Sequence, residues 1–444
     1  MPGNASPAEI PGFVDWFRAA APYIHAFRGK TFVLAFGGDT LLRPDFVDLV
    51  HDVNLLNALG VRLVLVHGVR PQVEARLEAR QVEARYVRGI RVTDGPALEC
   101  VKEAVGTSRV EIETLLSLGL PNTPMAGAEI RVASGNFVTA QPAGVVDGVD
   151  LQFTGEVRKI AADAIKDRLD HGDIVLLSPI GYSPTGEVFN LTLEDVATST
   201  AIALQADKLV FILDHGDTVD AHGKPVNRLT ASQAQKLVKD LPDGDMKLYL
   251  PHAAKACRKG VARAHLVSAN VDGALLMELF THEGVGTMVS RQSVEILRNA
   301  GIDDVGGILQ LIEPLEQEGV LVHRPRELLE QEIDRFFVAE LDGRIIGCVA
   351  LYPFPETLAG EMACLVVHPD FRDGGRGEAL MSAVEDAALE QGLKRLFVLT
   401  TRTAHWFIER GFAAGTPDDL PATRKEMYNW QRRSKIFVKD IRKK

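Results

Sequence analysis

EMACLVVHPDFRDGGRG, residues Glu361 to Gly377, is the stretch whose reading decides the second half of this chain. Its first part, Ala363 to Val367, is apolar and reads as a strand that ends at His368-Pro369. A glycine-rich turn follows, and a helix is expected from about Glu378. Arg372, Gly375 and Gly377 fit the pattern R-x-x-G-x-G. Glycines in such a turn let the backbone pass close to a bulky anion, while the first amides of the following helix aim unpaired N–H groups and a partial positive charge at it. A pyrophosphate is the natural guest. Read on its own, the turn serves equally well as a strand-to-helix loop that uses glycine only to turn tightly.

At 444 residues the chain exceeds what one core usually serves, so two or three domains are expected. Its 46% hydrophobic and 25% charged residues are those of an ordinary soluble globular protein. A formal net charge of -11 opposes a nucleic-acid or anionic-membrane surface, since either needs a basic face; only Arg432 to Lys444 forms a local basic cluster. No apolar run reaches the length of a membrane span, and the opening MPGNASPAEIPG lacks the regions of a signal peptide, so a cytoplasmic location is expected. Cys100, Cys257, Cys348 and Cys364 are scattered without C-x-x-C or Cys/His pairing, which predicts reduced thiols and no metal.

Working outward, Phe13, Phe17, Ala20, Ile24 and Phe27 recur at helical spacing, with Arg28-Gly29-Lys30 as a stop. This helix either packs on its own domain or pairs with its copy in another subunit. Strands at Thr31 to Phe36, Val61 to Val66, Ile174 to Leu177, Lys208 to Leu213 and His265 to Val267 alternate with helices such as Phe46 to Leu59. That order predicts an α/β fold with a doubly wound, mainly parallel sheet to about Val289. The pattern restarts between Ser290 and Ala300, giving a tail and helix over 1–28, a first domain over 29–290 and a second, α+β domain over 291–444.

The strand, turn and helix, a second strand at Arg395 to Thr400, and a short helix ending in Glu409-Arg410-Gly411-Phe412 together resemble the acetyl-CoA motif of the GNAT acetyltransferase superfamily. EMACLVVHPDFR, LFVLTTRTAHWFIERGF and MYNWQRRSK are similar to the C-terminal half of the bacterial N-acetylglutamate synthase family, and the preceding part is similar to that family's other half. The resemblance covers nearly the whole chain. It implies acetyl transfer from acetyl-CoA to L-glutamate, control by L-arginine, and a homo-oligomer, a hexamer where an N-terminal helix ties the subunits. Two alternatives are an N-acetylglutamate kinase with an appended acetyltransferase and a non-catalytic arginine-binding sensor.

The first domain resembles the amino-acid kinase family. Gly37-Gly38 matches its first phosphate loop, Arg88 to Asp94 the segment that holds an acylated glutamate, and Phe189-Asn190-Leu191 a similar kinase segment. Phosphoryl transfer needs cations on the moving group. The kinase lysine positions carry Ala35 and His252-Ala253 here, and His67-Gly68-Val69-Arg70-Pro71 lacks the glycines of the second phosphate turn, so kinase activity is not expected. His265, Glu278, Glu283 and Gly286, with Tyr23 of the N-terminal helix, resemble an arginine pocket, in which carboxylates take the guanidinium or α-amino group.

In the second domain an amine must lose a proton before it attacks a thioester. Glu361, at the start of the strand, is the candidate general base, acting through a water; read alone it is equally a solvated strand-end carboxylate. The backbone of Cys364, Leu365 and Val366 is expected to meet the pantetheine arm, and Arg372, Asp373, Gly374, Gly375, Arg376 and Gly377 the pyrophosphate. Cys364 is read as packing rather than as a nucleophile. Phe407 stands where many superfamily members have a tyrosine that protonates the leaving thiolate, so either the thiolate leaves unprotonated, as its modest basicity allows, or a hydroxyl such as Thr400 or a water supplies the proton. Arg324, Arg424, Lys425, Arg432 and Ser434 are candidates for the acceptor's two carboxylates.

Overall fold

The computed structural model describes residues 9–214, 219, 223, 225–281, 284–291, 295–341, 343–426 and 434–441, in two compact units, Met1–Gln292 and Ser293–Lys444. The expected Glu283 and Arg432 lie outside the described residues.

Unit 1 begins with helix α1 (Glu9–Phe27), four residues earlier than its apolar spacing suggests. Its C-terminal half packs on its own unit: Ala20 and Phe27 are buried, and the Phe27 ring meets Phe32 at 5.2 Å and Phe280 at 5.4 Å. Trp16 and Phe17 are exposed. The main sheet contains β1 (Thr31–Phe36), β2 (Arg62–His67), β3 (Val132–Ala133), β4 (Ile174–Leu177), β5 (Lys208–Leu213), β6 (Arg228–Thr230), β7 (Arg263–Ser268) and β8 (Thr287–Ser290). They lie in the order β6-β8-β7-β5-β1-β2-β4-β3, and only β7 and β8 pair antiparallel.

A central parallel strand is buried on both faces, so it can be apolar throughout. TFVLAF and KLVFIL of β1 and β5 are such runs. Val33, Ala35, Leu209 and Phe211 enter one core, and Phe32, Leu34, Val210 and Ile212 the other. Helices α2 (Phe46–Ala58) and α3 (Ala274–Phe280) contribute to the second core. The unit also contains a smaller four-stranded sheet, Val138–Pro142, Gly155–Ile160, Ile180–Tyr182 and Val188–Asn190, and two two-stranded ribbons.

Unit 2 is a seven-stranded sheet of β9 (Glu295–Asn299), β10 (Phe336–Leu341), β11 (Arg344–Phe354), β12 (Ala359–Val367), β13 (Arg395–Thr400), β14 (Ala413–Gly415) and β15 (Lys435–Asp440). The order is β9-β10-β11-β12-β13-β15-β14, antiparallel except between β12 and β13. Helix α4 (Val305–Gln317) buries Ile308 and Ile312 against Phe336, Val338 and Cys348 on one face. Helix α5 (Arg376–Glu390) buries Leu380 and Val384 against Leu341, Val349 and Leu351 on the other. At about 1.5–3 kcal/mol for each fully buried aliphatic side chain, these two faces hold the sheet and its helices together.

One acidic cavity in unit 1 has a measurable signature. About 60 Å³ in volume, it is lined by Asp45, Asp48, Asp52 and Asp272 with Arg43. Burial, then Asp272 and Asp48, push the Asp52 carboxyl up to about 7 from 3.8. Between those values the native chain holds a proton that the unfolded chain has released, so stability falls as pH rises through the window. Asp52→Asn removes the titration. Its melting temperature should stay close to the wild type's near pH 4 and exceed it by a margin that widens up to pH 8; a margin independent of pH would contradict the assignment.

Candidate active site

β12 and β13 pair at only three positions, Ala359 with Arg395, Gly360 with Leu396 and Glu361 with Phe397. Beyond Glu361 the register ends, and among the described residues Met362 to Val367 has no strand partner on the β13 side. The other edge of β12 is bulged: Cys364 and Leu365 stand between Ala363, opposite Ala350, and Val366, opposite Cys348. Cys364 has φ +51°, a left-handed conformation that costs a non-glycine residue about 1–3 kcal/mol. The bulge re-aims the amides of Cys364 to Val366 where the strands part. The Cys364 side chain faces the core, and burial pushes its thiol up to about 11. It is a packing thiol, as the sequence suggests.

Glu361 is the last residue of β12 that pairs with β13, and it is buried. Its carboxylate is gripped bidentately by Arg424 of the short helix α7 (Ala422–Glu426): Nε donates to Oε2 at 2.5 Å and Nη2 to Oε1 at 2.9 Å. Tyr352 stands opposite Glu361 in the antiparallel register and donates its hydroxyl to Glu332 at 2.8 Å. Burial, with the bond to Glu332, raises the Tyr352 hydroxyl well above its ordinary value despite the nearby Arg324. Arg324 donates Nη1 to the Val322 carbonyl at 3.1 Å and is electrostatically coupled to Tyr352, Cys364 and Glu361. Of the expected acceptor cations, Arg324 and Arg424 therefore come to Glu361. Lys425 does not; it pairs with Asp418 at 2.5 Å on the surface. Ser434 is buried just before β15.

The glycine turn runs from Pro369 through Arg372, Asp373 and Gly374 as a 3-10 helix, and Gly375 at φ +70° delivers the chain into α5. Among the described residues no side chain caps the first turn of α5, which leaves its amides open to an anion. Gly377 is required by packing as well: a Cβ there would lie 2.9 Å from the Trp406 ring. Arg372 is exposed and donates Nε to the Val367 carbonyl at 3.4 Å, whereas the Arg376 side chain turns away to Glu295 at 3.0 Å. Thr400 ends β13, across the gap from β12, and shares a 2.8 Å hydrogen bond with the Thr403 hydroxyl. Phe407, of helix α6 (Ala404–Glu409), is buried against Phe412 at 5.4 Å and belongs to the core.

Unit 1 holds a second polar centre. His265 Nδ1 donates to Glu278 Oε1 at 2.6 Å, and the amides of Val285 and Gly286 donate to Oε2 at 2.9 and 2.8 Å. Lys208, which sequence reasoning missed, approaches His265 Nε2 at 3.2 Å and lies 5.1 Å from the centroid of the Phe27 ring. Burial and then Lys208 push His265 down to about 4, so its imidazole is neutral. Burial opposes the Glu278 charge, but the His265 bond and the two amides outweigh it and hold the carboxyl below its ordinary value. Gly286 cannot carry a side chain, since a Cβ would meet the Leu266 carbonyl at 2.2 Å. Tyr23 sits one turn before Phe27 on α1, with the two rings 6.1 Å apart.

The amino acid kinase family model matches residues 30–268, and the acetyltransferase (GNAT) family model matches residues 306–412. An amino-acid acetyltransferase of Ralstonia nicotianae is 55% identical over 99% of this chain and 99% of its own length. One from Pseudomonas aeruginosa is 52% identical over 97% of this chain and 100% of its own. The chain belongs to the amino-acid acetyltransferase family. Among solved structures, N-acetylglutamate synthase from Neisseria gonorrhoeae complexed with coenzyme A and L-arginine is similar, with TM-score 0.88, 38% identity, and coverage of 97% of this chain and 100% of that one. The same enzyme complexed with coenzyme A and N-acetyl-glutamate gives TM-score 0.62 at the same identity and coverage.

Membership makes the protein an amino-acid N-acetyltransferase, with the acetyltransferase fold in unit 2 and the kinase fold in unit 1. The kinase-like glycine loop is filled from within. Asp214 lies so close to Gly37 that a Cβ there would collide with its carboxylate, and Thr40 donates to the same carboxylate. Burial, and then Asp245 and Asp39 against the Thr40 bond, raise the Asp214 carboxyl. An acidic lining at this loop opposes a phosphate. In the acetyltransferase unit, Gly377→Ala should cost about 1–3 kcal/mol of stability and raise the KM for acetyl-CoA, because either α5 or Trp406 must move. An unchanged KM would separate the turn from the cofactor. Cys364→Ala should keep kcat within about threefold, and initial-rate kinetics should be sequential rather than ping-pong.

Proposed function

We propose that this enzyme transfers the acetyl group of acetyl-CoA to the α-amino group of L-glutamate, giving N-acetyl-L-glutamate, the first step of arginine synthesis, with L-arginine as feedback effector. The observation that carries the reading is Glu361, fixed where β12 and β13 part, with two guanidinium groups beside it. A dicarboxylate amine fits two cations and one base. The gonococcal enzyme's complexes with coenzyme A, N-acetyl-glutamate and L-arginine support the same three ligands here.

In this mechanism the amides of Arg376 to Glu378 and the Arg372 side chain take the pyrophosphate of acetyl-CoA. The free edge from Met362 to Val367 takes the pantetheine arm, and the bulge amides polarise the acetyl carbonyl. Glu361, through a water, accepts a proton from the acceptor's ammonium. The freed nitrogen lone pair forms the C–N bond, the C–S bond breaks, and the thiolate leaves. Collapse sheds a second proton from nitrogen, and the thiolate takes one, from the Thr400 hydroxyl or a water. Ammonium and thioester thus yield amide, thiol and one proton. Arg324 and Arg424 hold the acceptor's carboxylates, and Arg432 and Ser434 belong to the same segment.

The domain assignment in this reading is 1–28 for the arm, 29–290 for the regulatory domain and 291–444 for the catalytic one. Arginine binds at Tyr23, His265, Glu278, Glu283 and Gly286, joined by Lys208. The enzyme works in the cytoplasm as a homo-oligomer, a hexamer tied through α1, and the exposed Trp16 and Phe17 support that self-association. Release of free CoA with L-glutamate as acceptor tests the reading. Glu361→Gln should lower kcat about 10²–10⁴-fold, the range of general-base contributions. Added L-arginine should shift the wild-type rate and leave Glu278→Gln unmoved. An active Glu361→Gln removes the base assignment, and an arginine response that persists in Glu278→Gln removes the effector site.

A further inference from the structure

The Glu361 carboxylate is not waiting for a proton. Both its oxygens are taken by one guanidinium, and the pair is shielded, with side-chain exposures of 10% for Glu361 and 19% for Arg424. Arg424 comes from a separate short helix, 63 residues away in sequence, so the grip is independent of the strand that positions the base. Arg324 stands nearby with no carboxylate in ion-pair range among the described residues. The free site thus contains one closed ion pair and one cation, Arg324, held by the neutral Val322 carbonyl and Tyr352 hydroxyl rather than by a carboxylate among the described residues.

We propose that the Glu361–Arg424 pair is a latch that the acceptor's own carboxylate opens. This rests on the acceptor reading above and adds an order of events to it. An arriving dicarboxylate offers Arg424 a replacement partner, its second carboxylate engages Arg324, and Glu361, released, faces the ammonium. One internal ion pair is exchanged for three with the substrate, so no charge is left buried alone, which is the costly alternative. An amine lacking the relevant carboxylate leaves the pair closed and meets a base whose oxygens are occupied. Acceptor selectivity then appears in kcat as well as in KM, because the missing carboxylate withholds the base and not only binding energy.

The test uses the full chain, acetyl-CoA, and three acceptors: L-glutamate, its γ-amide L-glutamine and its α-amide L-isoglutamine, each at saturation. Wild type should turn over glutamate and lose at least about tenfold in kcat with the amide that lacks the carboxylate Arg424 takes. Arg424→Gln unlocks the base permanently. Its kcat with that same amide should rise severalfold above wild type while its glutamate turnover falls. Arg424→Lys, a point charge that cannot grip both oxygens, should lie between the two, and melting curves confirm that each variant is folded. If Arg424→Gln lowers turnover of both amides along with glutamate, Arg424 is a clamp or a support and the latch is overturned. If wild type releases no CoA with glutamate, the acceptor reading itself fails and takes the latch with it.

Discussion

Everything in unit 2 depends on two neighbouring parallel strands that stop pairing after three residues. A buried strand edge without hydrogen bonds is costly, and proteins normally cover it. Here β12 keeps its full antiparallel partner β11 on one side, so the sheet remains continuous up to the gap. On the other side the edge from Met362 stays without a strand partner. α4 and α5 clamp opposite faces of the same strands, and this packing keeps the gap from closing. The bulge at Cys364 and the left-handed Gly375 are local strains that this frame supports. They stand one at each end of the span from strand edge to helix.

Unit 1 keeps the sheet and glycine loops of the amino acid kinase fold with an acidic side chain at the first loop. The sheet and glycine loops persist because they are packing solutions: Gly68 approaches the Gly37-Gly38 backbone so closely that a Cβ would fall 3.0 Å from the Gly38 nitrogen. At the glycine loop it is Asp214 that lies against Gly37 and accepts from Thr40. The charge retained in the fold lies elsewhere, in the Lys208–His265–Glu278 chain beneath α1. There a neutral imidazole links an ammonium to a carboxylate, so neither buried charge lacks a hydrogen bond.

How much of this could be read from the sequence depended on range. Apolar runs such as TFVLAF and KLVFIL locate β1 and β5 to the residue, because burial on both faces leaves no other composition. β2 begins one residue later than its apolar run, and α5 two residues earlier than expected, since Gly375 already provides the helix entry. The shape of the turn around Arg372 was legible because glycines in one short segment set it. Partnerships across the fold were not. That Arg424 rather than Lys425 would reach Glu361, that Arg376 would turn to Glu295, and that Tyr352 would stand opposite the base depend on register, a bulge and helix phase. Sequence spacing carries none of these. Lys208 was hidden for the same reason, as the first residue of an otherwise apolar strand.

Both polar centres share one physical property: each carboxylate is already satisfied by the protein. Glu278 accepts from an imidazole and two amides, and Glu361 from a guanidinium. A buried carboxylate cannot be left bare until a ligand arrives, because desolvation without compensation would move its pKa or open the site. The fold therefore supplies internal partners, and any ligand must exchange with them. Exchange makes binding selective in a way that open pockets are not, since the incoming group must match both the geometry and the charge of the partner it displaces. At Glu278 the donors are backbone and a core histidine, whereas at Glu361 the donor is one long side chain with several rotatable bonds on a five-residue helix. That difference in the rigidity of the internal partner, more than any difference in the carboxylates, suits the first centre to holding a conformation and the second to turning over.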